Sequence, residues 1–350
     1  MRLKKLIKIA VEREASDLHI VAGIPPSIRV HGEIIFLEQD RLSPEQTREL
    51  IYEVLTVEQK KNFEAEWDLE FSFFDPSLGR FRASIYMDKG SVGGAFRIVP
   101  LTLKSMEELG LPLVTEELAL KPNGLVLVTG ATGMGKTTTL NVMIDLINRE
   151  KRARIITIED PIEFVHSHKR SIIIQREIET DTKSFYKALI HSLRQDPNVL
   201  CIGEMRDLET ITTALTAAET GHLVLSTLHT SDATQTIDRI IDIFPPHQQN
   251  QVRSQLANCL QGIICQSLVP RVGEAGRALA VEVLVANTAV RNLIRENKAM
   301  LIANVIATGS DQGMVEMDKS LKNLYENGVI SYEAALSRLR NQENLRKTVR

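Results

Sequence analysis

Between the apolar run Leu125-Val126-Leu127-Val128-Thr129 and the helix-like stretch KTTTLNVMIDLINRE stands GATGMGKT, residues Gly130 to Thr137, which fits G-x-x-x-x-G-K-[ST]. With glycine near 7% of residues, a chance fit in a chain this long is roughly a one per cent event, before the flanking strand and helix are counted. The spacing predicts a phosphate-binding loop at a strand-to-helix turn. Gly130 opens the loop, followed by Ala131 and Thr132; Gly133 and Gly135 let the backbone N–H groups turn inward around a β-phosphate, at the positive end of the following helix. Met134 costs nothing there, because the loop uses backbone donors. Lys136 brings a mobile cation to the β and γ phosphates, Thr137 offers a hydroxyl to Mg²⁺, and Thr138 sits beside it. ATP and Mg²⁺ are the expected cofactors.

The surrounding texture agrees. From Lys121 onward, GLVLVTG, RIITIED, SIIIQRE, NVLCIGE and HLVLSTLHT are short apolar runs, each followed by a helix-like segment. Such runs predict a parallel sheet covered on both faces, with chemistry at the C-terminal strand ends. After about Asp242 the chain reads as mainly helical, including PPHQQNQVRSQLANCLQGIICQSLV, with one further strand, RALAVEVLVA. Residues from Asp17 to about Pro100 read instead as short strands and turns, an α+β domain with an antiparallel sheet. One helical interruption, Ser43 to Asn62, opens with Ser43 as N-cap and Pro44 in the first turn. The expected boundaries are a domain over 1–100, a linker over 101–112 bracketed by Pro100 and Pro112, and a second domain over 113–350.

The length of 350 residues favours two domains, and a formal net charge of -3 gives no global pull toward nucleic acid. Cys201, Cys259 and Cys265 form no C-x-x-C pair, so neither a disulfide framework nor a zinc knuckle is expected. No stretch approaches the roughly 20 apolar residues of a membrane span, and the start MRLKKLIKIAVERE lacks a signal peptide's apolar segment. The expected location is cytoplasmic. Leu3, Leu6, Ile7, Ala10 and Val11 form a helical stripe that suits packing on its own domain better than lying on a membrane.

Carboxylates supply the second half of the chemistry. NVLCIGEMRD ends its apolar strand in Gly203-Glu204, where many P-loop ATPases place an Asp-Glu pair; metal support must therefore come from elsewhere. IITIEDPIEF offers Glu159, Asp160 and Glu163 at a neighbouring strand end. Glu204 is expected to orient and deprotonate the attacking water, and Glu163, with Glu159 near it, to hold the metal or its water shell. The roles of Glu204 and Glu163 are open to exchange. In GHLVLSTLHT, His222 and His229 lie on opposite faces of a strand and roughly 20 Å apart at about 3.3 Å per residue, so they share no metal. His229, at the C-terminal end with Thr227 and Thr230, suits sensing a γ-phosphate or hydrogen-bonding Glu204; His222 suits a structural or interfacial role.

SDLHI, the P-loop, TIEDPIEF, GEMRD, GHLVLSTLHT and AVRNLI follow one another in an order that resembles the secretion ATPases of the type II and type IV pilus systems, and within them the pilus-retraction (twitching motility, PilT-like) ATPases. The resemblance spans nearly the whole chain. It implies a RecA-like P-loop ATPase core with a smaller N-terminal α+β PAS-like domain, and a homohexamer with nucleotide at the subunit interface. Arginines of the N-terminal domain are then expected to complete that site: Arg80 and Arg82 in GRFRAS, and Arg97 in AFRIVP. It also implies retraction of type IV pili through an inner-membrane platform protein, acting indirectly on pilin, with the motor peripheral to that membrane. Assembly relatives typically carry a four-cysteine zinc site that this sequence lacks. The alternatives are an assembly or type II secretion ATPase, a weakly hydrolysing partner of another motor, and a RecA-like nucleic-acid translocase. Ala131, Met134 and Val290 depart from the common family residues by changes that leave the chemistry intact.

Overall fold

The computed structural model describes residues 2–30, 32–99, 103–273 and 276–340, and the chain divides into two compact units. The first comprises residues 1–102 together with Glu163–Val165; the second comprises Leu103–Ile162 and His166–Arg350.

Among the described residues of the first unit, α1 (Leu3–Glu12) precedes β1 (Asp17–Ile20), β2 (Ser27–Val30) and β3 (Glu33–Phe36), then α2 (Pro44–Tyr52) and α3 (Val57–Glu66), then β4 (Asp68–Asp75), β5 (Gly79–Asp88) and β6 (Ser91–Ile98). The strands form one antiparallel sheet in the order β3-β2-β1-β6-β5-β4. Leu3, Leu6, Ile7 and Ala10 of α1 are buried in this unit's own core with Phe63, Phe81 and Phe96, so the basic helix uses its apolar stripe internally. Where one helical interruption was expected, two helices occur. Thr56 starts a second capping box with Gln59, repeating the Ser43–Gln46 box, so each short helix satisfies its own first N–H groups. Trp67, at φ 65°, then ends α3.

The second unit holds α4 (Val114–Ala119), β7 (Gly124–Thr129), α5 (Lys136–Glu150), β8 (Arg154–Glu159), β9 (Ile172–Glu177), α6 (Phe185–Ser192), β10 (Val199–Ile202), α7 (Leu208–Glu219), β11 (Leu223–Leu228), α8 (Ala233–Asp242), α9 (Pro246–Cys259), β12 (Leu260–Pro270), β13 (Arg277–Val285), α10 (Thr288–Arg295), α11 (Ile302–Thr308), α12 (Met317–Glu326) and α13 (Tyr332–Leu336). Its sheet runs β13-β12-β7-β11-β10-β8-β9, parallel except for β13. Alternate strand residues serve opposite faces: Leu125, Leu127, Ile156, Ile158, Leu200 and Ile202 fill one core, and Val126, Val128, Ile155, Val199, Leu223 and Leu225 the other. Both faces are covered, which is why these runs read as apolar throughout.

Two expectations fail here. LQGIICQSLVP is not helical: the helix stops at Cys259 and residues Leu260 to Pro270 form β12, paired with both β7 and β13. Periodicity does not separate a short buried strand from a buried helix turn. What decides is pairing with β7 on one side and β13 on the other, and at Gly262 the fit is close, since a Cβ there would stand 2.9 Å from Leu284 O of β13. Nor is every apolar run followed by a helix, since β8 and β9 are joined by residues 160–171 without one. That segment is held by side chains instead. Asn148 donates to Ser167 O at 2.8 Å and accepts from Lys169 N at 3.1 Å, while Glu177 accepts from Ile162 N at 2.8 Å. Among the described residues no helix is long and apolar enough to cross a membrane.

Candidate active site

The P-loop lies between the end of β7 and the start of α5, with Gly130, Gly133 and Gly135 at φ 144°, 78° and 81°. All three fall where side-chain-bearing residues are strained. Gly130 has a further constraint, because a Cβ there would meet Gln266 O at 2.6 Å. Lys136 is nearly buried, and its Nζ donates to Gly130 O at 2.8 Å and Ala131 O at 3.0 Å, curling the cation over the loop. α5 starts at Gly135 with no side-chain cap, so its first N–H groups face the loop's concave side at the positive end of the helix dipole. Ala131, Thr132, Gly133 and Thr138 are exposed; Met134 and Thr137 are half-buried. Glycine-built concavity, uncapped amides and a lysine fit a nucleotide phosphate chain, and the Thr137 hydroxyl beside them fits its Mg²⁺.

Strand register brings the next groups to the same edge of the sheet. Thr129 of β7 is level with Leu228 of β11, and Ser226 of β11 with Ile202 of β10, which is level with Ile158 of β8. One residue beyond these pairs stand Gly130, His229 and Glu159, and two residues beyond Ile202 stands Glu204, all at the C-terminal strand ends. Glu204 is largely buried; its Oε2 lies 2.6 Å from Arg206 Nε and 3.5 Å from His229 Nε2. The turn carrying it is braced by Thr227, which donates to Gly203 O at 2.6 Å, and by Ser226, which donates to Ile202 O at 2.8 Å. Asp207 caps α7 by accepting from Thr210 N at 2.7 Å. A carboxylate held by a guanidinium on a braced turn, with an imidazole 3.5 Å away, has the fixed orientation of a group that must receive a proton from one direction.

Glu159 is buried, accepting from Thr157 Oγ1 at 2.6 Å and Gln175 Nε2 at 3.1 Å. Glu163 is exposed. Among the described residues no cluster of three or more His, Cys, Asp or Glu side chains could hold an ion alone. This donor set suits Mg²⁺, which keeps waters and relies on substrate phosphates. The three cysteines are free and buried, and burial pushes the Cys259 thiol up to about 12.

Sequence reasoning missed the part played by β12 and β13. Gln266 donates to Thr139 Oγ1 at 2.6 Å, Leu268 N donates to Met134 Sδ at 3.2 Å, and Arg277 Nη1 donates to Gly133 O at 3.0 Å. These contacts buttress the loop's outer side. Met134, discounted as a bystander, is the acceptor for one of them. No local signal marks these residues, which lie 127 to 144 positions from their partners. In AVRNLI, Arg291 donates to Ala257 O and, at 2.7 Å, to Asn258 O, so it caps the C-terminal end of α9.

The family of type II/IV secretion system proteins matches residues 101–342, from α4 through the P-loop to the last described helix. The chain belongs to this family. The type IV pilus retraction ATPase PilT of Pseudomonas aeruginosa is 45% identical over 98% of this secretion-family chain and 100% of its own length. A twitching motility protein of Neisseria gonorrhoeae is 46% identical over 93% of this chain and 87% of its own. A crystal structure of the pilus retraction motor PilT with bound ADP matches at a TM-score of 0.92 and 48% identity, covering 99% of both chains. The ATPase DotB of Legionella pneumophila matches at 0.78 and 28%, covering 95% and 94%. The expected α/β class, with a P-loop ATPase core and a smaller N-terminal α+β domain, agrees with these likenesses.

In the first unit, Arg80 and Arg82 of this family member share one face of β5, opposite the buried Phe81 and Ala83. Arg97 of β6 is directly across from Arg82, and Asp17 of β1 is directly across from Arg97. Asp17 binds Arg97 at 2.9 Å; burial acts to raise its carboxyl, but the Ser16 hydroxyl and Arg97 hold it below the usual range. Arg82 has no hydrogen bond or ion pair among the described residues.

The two histidines of GHLVLSTLHT separate as their spacing requires. His222 stands before β11, where its Nδ1 lies 3.0 Å from Ala217 O, which fixes a proton on Nδ1 and ties the ring to the end of α7. His229 reaches Glu204 from the other end. His229→Ala is expected to lower ATP turnover by about 10²-fold, whereas His222→Ala costs on the order of 1 kcal/mol of stability with turnover of the folded protein near normal. Parallel turnover and melting measurements decide; equal losses of activity would refute the division.

Proposed function

We propose that this chain is an ATP-hydrolysing motor, assembled as a homohexamer, that powers retraction of type IV pili and so drives twitching motility. The observation that carries this is the alignment of the P-loop, Glu204 and His229 at one sheet edge in a chain similar over 98% of its length to a pilus retraction ATPase. The P-loop amides and Lys136 bind and orient the β and γ phosphates. Glu204, held by Arg206 and flanked by His229, takes the proton of the attacking water, or exchanges that role with Glu163. Mg²⁺ bound with ATP would neutralise charge between the phosphates, with Thr137, Glu163 and Glu159 holding it or its water shell. Arg80, Arg82 and Arg97 are assigned to nucleotide in the assembled ring; Arg97 is paired with Asp17, and Arg82 makes no ion pair among the described residues. The motor works in the cytoplasm against an inner-membrane platform protein, and through it on pilin.

Deletion of the chromosomal copy tests the direction of work: hyperpiliated, non-twitching cells support retraction, and bald cells move the assignment to pilus assembly. Stimulation of hydrolysis by DNA would favour a nucleic-acid translocase instead. A weakly hydrolysing partner of another retraction motor is the second reading; PilU of Pseudomonas aeruginosa, a type IV pilus ATPase, is also similar to this chain, 40% identical over 100% of it and 92% of its own length. Unimpaired twitching in the deletion strain would favour the second reading.

A further inference from the structure

The helix behind the P-loop is joined to the acidic segment by buried polar contacts that the proposed chemistry leaves unused. Asn141, buried on α5, donates from Nδ2 to Thr137 O at 3.0 Å, and its Oδ1 lies 2.8 Å from Nε2 of the buried His166. Since the amide nitrogen faces a carbonyl, the asparagine oxygen must accept, and the imidazole therefore carries its proton on Nε2. His166 N in turn donates to Gln175 Oε1 at 2.8 Å, and Gln175 Nε2 donates to Glu159 Oε1 at 3.1 Å. The path thus runs from the main-chain carbonyl of Thr137, the residue whose hydroxyl is assigned to Mg²⁺, to the carboxylate of Glu159.

The path also anchors the segment that carries Glu163. Ile162, one residue before it, is pinned by Glu177; His166, three residues after it, is pinned by Asn141 and Gln175. Asn141, Asp145 and Asn148 are spaced along one stripe of α5, and each holds this segment: Asp145 binds Lys169, and Asn148 binds Ser167 and Lys169. Burial pulls the His166 imidazole down to about 4, so the ring is a neutral donor at physiological pH. Apolar contacts would hold the segment to the helix as firmly, without desolvating an amide and an imidazole; a connected polar path adds direction.

We propose that Asn141 and His166 are positioning residues: together they fix the register of the acidic segment against the P-loop helix, so that the groups destined for Mg²⁺ on β8 and α5 are presented as one unit. This rests on the ATPase function proposed above, and the test separates the two. Binding of a fluorescent ADP is measured in EDTA and then with rising Mg²⁺, alongside ATP turnover, for the wild type, His166→Leu, Asn141→Leu and His166→Gln. The two leucine variants are expected to bind nucleotide in EDTA within about twofold of wild type, yet to need roughly tenfold more Mg²⁺ for half-maximal effect, the usual range when a partner of a metal-site residue is lost. His166→Gln, whose Nε2 falls where the imidazole Nε2 lies, should return the Mg²⁺ requirement to near wild type. Unchanged Mg²⁺ requirements in both leucine variants overturn the bridge, as does loss of nucleotide binding in EDTA to the same extent as in Mg²⁺. Should His166→Leu fail to fold, Asn141→Leu, nearly matched in volume, and His166→Gln carry the comparison. A wild-type chain without Mg²⁺-dependent turnover would overturn the ATPase function itself.

Discussion

Replacing Glu204 with Gln should leave ATP binding intact and lower steady-state hydrolysis by about 10²–10⁴-fold. Glutamine keeps the size of the side chain and still offers an oxygen to Arg206 Nε, which lies 2.6 Å from the carboxylate, so the braced turn between β10 and α7 should persist. What it removes is the capacity to take a proton. The turn is fixed from β11 by Thr227 and Ser226 and closed by the Asp207 cap, so local collapse is not expected to contribute. Turnover near wild type would exclude Glu204 as the base, and a loss confined to Glu163→Gln would transfer that role.

Arg82→Ala should separate stability from activity in the opposite sense. Arg82 lies directly across from Arg97, whose charge is already taken by Asp17, and the pairing of like charges across strands costs on the order of 0.2–1 kcal/mol. Removing it should leave the melting temperature unchanged or slightly raised. If Arg82 meets the γ-phosphate in the assembled motor, turnover should nevertheless fall by about 10³-fold, the lower range for an arginine finger, with nucleotide binding largely retained. Normal turnover would return Arg82 to the status of a surface residue. Arg97→Ala makes a useful contrast, because it removes the nearest cation from the buried carboxylate of Asp17, leaving it Ser16 Oγ at 2.8 Å and Arg29 Nε at 4.0 Å, and should therefore cost stability.

Much of this was legible from local sequence because the physics involved is local. The P-loop could be read residue by residue, since glycine spacing and a terminal lysine encode the backbone path and the charge. The strands of the second unit other than β12 could be read from their apolar runs, and the separation of His222 from His229 from strand geometry alone. Ser43-Pro44 announced its helix start, but the Thr56 capping box that begins a second helix was passed over within one longer helical stretch.

What stayed hidden depends on contacts between distant positions. β12 was read as helix because a short buried apolar run has no decisive period, and only its place between β7 and β13 makes it a strand. Gln266, Leu268 and Arg277 gain their part at the P-loop only when β12 and β13 close the sheet next to β7. His166 carried no motif of its own, and its link to Asn141 exists because the β8–β9 connection lies along α5. Sequence alone determined which chemical groups stand in the P-loop and at the strand ends, since side-chain type and near-neighbour spacing set that choice. Tertiary structure decided which groups stand together and what steadies them, because hydrogen bonds at about 3 Å join residues that the chain keeps far apart.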